Sequence, residues 1–151
     1  MLFRSHVLSA FVDRERDVRV RELLSDILVQ GGPDAVPLLC GSFAPEPAAI
    51  DDDLRSIVVE IGTAAVKPLI DAYARPSMLE RLSLGLLGKS LNRRAQIVRC
   101  LSGIGGAHAL EALRALREIE HSDDLRLRLD QAIHTLERNP APAREDSHGT
   151  R

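Results

Sequence analysis

An all-α fold is predicted for this chain by three features of its sequence. Apolar residues recur at three and four positions along most of its length. The apolar stock is nearly free of aromatics, since hydrophobic residues are 44% of the chain and aromatic ones only 3%. The third feature is self-similarity: shifted by 30 residues, the early part of the chain overlays a second copy of itself. A core of Leu, Ile, Val and Ala suits helices better than strands, which favour aromatic and β-branched residues. With 151 residues the chain is a usual size for one domain with a core of its own.

Taken in order, Leu24, Ile27 and Leu28 mark one face of a first helix. Gly31 and Gly32 are expected to stop it in a left-handed turn, and Pro33 to open the next helix where no N–H is missed. Ala35, Val36 and Leu39 carry that second helix. Asp51, Asp52 and Asp53 then place negative charge at a helix start, where the dipole favours it. From here the pattern repeats. Leu24, Ile27, Leu28, Gly32, Ala35, Val36, Leu39 and Phe43 fall on Leu54, Ile57, Val58, Gly62, Ala65, Val66, Leu69 and Tyr73. A third copy runs through Ile97, Cys100, Leu101, Ile104 and Gly105, then Ala109, Leu110 and Leu113 after one extra residue in the turn. Each copy therefore predicts a helix, a glycine turn and a second helix opening with a small residue.

Residues 76–91 interrupt the repeat. Met78, Leu79, Leu82, Leu86 and Leu87 line one face of an extra or degenerate helix, weakened by Gly85 and Gly88, with Gly88 as its expected C-terminal cap. The last helix, about residues 123–138, turns Leu125, Leu129, Ala132, Ile133 and Leu136 inward and is expected to cover the open end of the array. Residues 139–151 have Pro, Ala and charge but no apolar period. They are expected to be a disordered tail, leaving residues 1–138 as the folded domain.

The segments Ile61-Gly62-Thr63-Ala64-Ala65-Val66-Lys67-Pro68-Leu69-Ile70 and Ile104-Gly105-Gly106-Ala107-His108-Ala109-Leu110-Glu111-Ala112-Leu113 resemble the short HEAT-like repeats of phycobilin-lyase-type proteins. The resemblance covers roughly residues 18–138, with a gap at 76–91. It implies an α-α superhelix, a HEAT/armadillo-like solenoid of about three to four helical hairpins, with the second helix of each hairpin lining the concave face. The 30-residue unit is shorter than the ordinary HEAT spacing of about 40–47 residues, a form the resemblance associates with bacterial members of the group.

Motifs for chemistry are scarce. Gly88-Lys89-Ser90 fails as a phosphate loop, because Ser83 stands where the first glycine is needed and no strand precedes it. His6, His108, His121, His134 and His148 share no metal-ligand spacing, and no cofactor is expected. Three consecutive aspartates point in different directions on one turn, so Asp51 to Asp53 read as a helix start and not as a cation site. Cys40 and Cys100 both fall in apolar helical patterns and are expected to be reduced core thiols. The N-terminus lacks the pattern of a signal peptide, and no run approaches a membrane span, so a cytoplasmic protein is expected.

Charge is unevenly spread. Residues 75–99 carry Arg75, Arg81, Lys89, Arg93, Arg94 and Arg99 against Glu80 alone, a net of +5. Residues 31–74 carry Arg55 and Lys67 against seven carboxylates, a net of −5. The reading that follows is a non-catalytic scaffold or adaptor that binds a partner protein in a groove between its second helices. Candidate groove residues are Asp34, Pro37, Lys67, Asp71, His108 and Glu111, with Arg81, Lys89, Arg93 and Arg94 steering an acidic patch on the partner. Two other classes are weighed. A bilin lyase or lyase accessory is motivated by the resemblance alone, and Phe3, Phe11, Phe43 and Tyr73 offer little stacking surface. A nucleic-acid binder is opposed by the overall charge of −2 and the lack of Trp. The exposed ends of such an array could also pair with a second copy.

Overall fold

Helices account for nearly all of the structure, a computed structural model that describes residues 18–44, 47–75 and 87–139. The α-helices are α1 (Val18–Gln30), α2 (Val36–Gly41), α3 (Ala49–Ile61), α4 (Val66–Ala74), α5 (Leu87–Ile104), α6 (Gly106–Ile119) and α7 (Asp123–Arg138). Short 3-10 turns, Gly32–Ala35 and Gly62–Ala65, lead into α2 and α4. No strand occurs among the described residues. None of the described helices is long and apolar enough to cross a membrane. Residues 76–86 and the segment from 140 to 151 lie outside the described residues, and with them the expected tail and most of the expected inserted helix.

The helices contact one another in two rows. In one, α1 touches α3, α3 touches α5 and α5 touches α7; in the other, α2 touches α4 and α4 touches α6. Between the rows lies a single core. Leu28, Leu54, Ile57, Val58, Ile97, Cys100 and Leu101 enter it from the first row. Val36, Leu39, Val66, Leu69, Ala109, Leu113 and Leu116 enter it from the second. Helix α7 closes one side by burying Leu125, Leu129, Ala132 and Leu136 against α5 and α6. Each fully buried leucine removes enough apolar surface from water to stabilise the fold by about 1.5–3 kcal/mol.

The turn glycines Gly62 and Gly105 are held by backbone conformation. Gly62 lies at φ 75°, ψ −145° and Gly105 at φ 67°, ψ −168°, a region open essentially to glycine alone. A Cβ on Gly62 would meet no atom within 4 Å, so side-chain volume is not what excludes other residues there. Two details differ from the sequence expectation. Gly31 remains right-handed at φ −62°, so Gly32 alone makes the first turn. Gly88 is not a C-terminal cap: it lies inside the first turn of α5, which runs unbroken from Leu87 to Ile104. Helix formers such as Leu91, Arg93, Arg94 and Gln96 follow that glycine directly, and a continuous helix outweighs its cost of about 1 kcal/mol.

Behind the turns stand Ala35, Ala65 and Ala109, each 0% exposed, where the chain enters the second-row helices. Small residues at these points let neighbouring backbones approach. Replacing Ala65 by Leu is expected to overpack the site and cost about 1–3 kcal/mol. Thermal melting of Ala65→Leu beside Ala64→Leu checks this, because Ala64 is exposed and its substitution should leave the melting temperature nearly unchanged.

Candidate functional site

The outer side of the second row gathers six of the residues singled out in the sequence. Asp34 in the first 3-10 turn, Pro37 on α2, Lys67 and Asp71 on α4, and His108 and Glu111 on α6 are all exposed. Contacts between α2 and α4, and between α4 and α6, place the helices that carry them in series. Lys67 Nζ and Asp71 Oδ2 are 3.4 Å apart. An exposed pair one helical turn apart is worth only a few tenths of a kcal/mol, so both charges stay accessible to a binding partner.

Of the basic residues, Arg93 and Arg94 are engaged with other parts of the chain. Arg81 lies outside the described residues, and Lys89 is placed only as a backbone position in the first turn of α5. Arg93 and Arg94 are half-buried. The Arg93 guanidinium donates to the Arg75 carbonyl at 2.8 Å, at the C-terminal end of α4. Arg94 lies 3.7 Å from Glu120 Oε2, with its guanidinium carbon 5.4 Å from the centre of the Tyr73 ring. Of the cations that the sequence concentrates at residues 75–99, Arg93 and Arg94 are thus engaged within the packing, while Arg75 and Arg99 are exposed.

Two buried polar clusters account for residues that sequence reasoning passed over. In the first, Asp51, only 1% exposed, is the common acceptor. It receives the Ala44 N–H at 2.9 Å and the Ala48 N–H at 3.2 Å, and so serves as half of a capping arrangement for α3. From α5 it receives Asn92 Nδ2 at 3.2 Å and Gln96 Nε2 at 3.4 Å. Asn92 also donates to the Ala44 carbonyl at 2.7 Å, so both backbone groups of Ala44 are held. Arg55 closes the cluster toward solvent, donating to Gln96 Oε1 at 3.4 Å and to Asp52 at 2.7 Å. The helix-start role expected of the aspartate run therefore falls on Asp51, and its burial is what the run itself did not reveal. A signal for the partners existed: Asn92 and Gln96 are polar residues one turn apart on the same side of a helix as Ile97 and Cys100.

The second cluster joins α4, α5 and the corner between α6 and α7. Glu120 is 4% exposed. It accepts the Tyr73 hydroxyl and the N–H groups of His121 and Ser122, both at 2.8 Å. Its carbonyl accepts Arg126 Nε at 2.6 Å. Burial works against the charge of Glu120, but the Tyr73 hydroxyl, the two amides and Arg94 outweigh it and hold the carboxyl below its usual range. Tyr73 is pushed the other way, first by burial and then by Glu120, so its hydroxyl stays protonated at neutral pH.

The thiols offer no accessible nucleophile. Cys40 and Cys100 are both free and buried, on the contacting helices α2 and α5. Burial pushes the Cys40 thiol up to about 12, against the pull of Arg93. Burial, with a smaller contribution from Cys40, pushes Cys100 up as well. Since the thiolate is the reactive form, a thiol reagent at neutral pH should label essentially none of the native protein and both cysteines in denaturant. Rapid native labelling of either would show that α2 and α5 part readily. Compared with models of protein families, with curated proteins and with solved structures, the chain matches none.

Proposed function

We propose that this chain is a non-catalytic interaction scaffold, a HEAT-like α-α superhelix whose second-row helices α2, α4 and α6 take a partner protein. The observation that carries this reading is the common exposure of Asp34, Pro37, Lys67, Asp71, His108 and Glu111 on three helices that touch in series. Such a surface is broad and held by a core on its inner side, which suits a protein surface or an extended segment better than a small molecule. A cytoplasmic location accompanies this reading. Steering of an acidic patch on the partner falls to Arg75 and Arg99, which are exposed, since Arg94 is joined to Glu120.

Affinity capture with the wild-type chain and with a Pro37→Arg/Lys67→Glu/Glu111→Arg variant tests the face. These positions are exposed, so the variant should melt like the wild type. A partner held by the wild type and lost from the variant supports the reading. A partner held equally by both places the interface elsewhere. With that partner in hand, Arg99→Glu should slow association at low salt and leave dissociation nearly unchanged.

A further inference from the structure

We propose that the corner at residues 120–122 is an acid-sensitive latch, in which the Glu120 carboxylate holds the start of α7 against α4 and α5 and its protonation lets that corner open. One carboxylate here serves partners from several elements: the Tyr73 hydroxyl on α4, Arg94 on α5, and the His121 and Ser122 amides that lead into α7. Arg126 on α7 binds the Glu120 carbonyl and reinforces the same corner. The side chain of Ser122, the N-cap of α7, makes no capping hydrogen bond, so Glu120 supplies the acceptor that orders this turn. The other charged groups nearby are exposed: His121, Asp123 and Asp124, the last paired with Arg128 at 2.9 Å. A protonated carboxyl can no longer accept from all of these donors, and it removes the negative charge that Glu120 presents to Arg94.

The direction of the pH response follows from the lowered proton affinity of Glu120 in the folded chain. The latch is closed above the ordinary glutamate range, about 4.3, and opens as pH falls through the lower folded value. Farther along α7, burial of Leu129, Ala132 and Leu136 keeps the rest of the helix docked.

The test is hydrogen exchange at single residues, corrected for the intrinsic effect of pH on exchange. Between about pH 7 and pH 3, opening at the His121 and Ser122 amides should rise relative to the core amides of Leu113 and Leu116. In Glu120→Gln that rise should vanish, with the corner looser at every pH. Tyr73→Phe keeps the ring beneath Arg94 and removes one donor, so it should move the midpoint of opening to higher pH. The latch is overturned if Glu120→Gln keeps the wild-type response, which would assign it to His121 or the neighbouring aspartates. It is equally overturned if Tyr73→Phe leaves the midpoint in place.

Discussion

Asp51→Ala should lower the unfolding free energy by about 2–4 kcal/mol, the largest loss expected from a polar substitution among the described residues. The side chain accepts from four donors, two backbone N–H groups in the segment before α3 and two side-chain amides on α5. Truncation leaves the two backbone N–H groups without this acceptor, while Asn92 Nδ2 keeps the Ala44 carbonyl at 2.7 Å and Gln96 Nε2 keeps Asn92 Oδ1 at 3.3 Å. A buried donor without an acceptor costs about 1–3 kcal/mol, and water entering from the Arg55 side recovers part of the sum. Asp51→Asn keeps one acceptor oxygen but turns an NH2 group toward other donors, so a loss of about 2 kcal/mol is expected. Asn92→Ala removes only one member and should cost less than Asp51→Ala. Urea unfolding of the three variants measures the order. A loss below about 1 kcal/mol for Asp51→Ala would mean that the carboxylate is solvated and that α3 and α5 are not joined through it.

Leu69→Ala should cost about 2–5 kcal/mol for a different reason, the lost apolar transfer plus the cavity left behind. Leu69 is 0% exposed on α4, the middle helix of the second row, with α2 and α6 on either side and α5 across the core. Neighbours held on so many sides cannot collapse into the gap, which favours the upper part of that range. Leu23 is the natural control. It is 59% exposed on α1, so Leu23→Ala should change stability by no more than about 0.5 kcal/mol. Total stability for a domain of this size is about 5–15 kcal/mol, so Leu69→Ala should also lower the urea midpoint visibly while the slope stays the same. Similar losses for both leucines would mean that the helical registers are not those described.

Local sequence determined a good deal of this protein. The recurrence of apolar residues at three and four positions settled that it is helical, because a helix places those residues on one stripe and no strand can. It also selected the buried set. Leu54, Ile57, Val58, Leu69, Leu101 and Leu113 were legible as inward residues, and all of them are buried. The turn at Gly62 was equally legible, since only glycine tolerates the backbone angles found there. The outward set on the second row could be read as the complement of the inward one, and Pro37, Lys67, Asp71 and Glu111 are exposed.

What the sequence could not convey is which polar residues are removed from water by neighbours far along the chain. Asp51 resembles Asp52 and Asp53 in every local respect, yet it alone of the three is buried, because α5 brings Asn92 and Gln96 against it. Glu120 lies in a run of charged and polar residues that marks an ordinary turn, and it becomes a buried acceptor only because Tyr73, 47 residues earlier, points at it. The basic band shows the same divide. Its charge can be counted from the chain, but whether a cation faces solvent or a carboxylate depends on packing, and Arg94 faces Glu120. Apolar burial follows from period, a local property. Burial of a charge follows from having a partner at hand, and only the tertiary structure decides who the partner is.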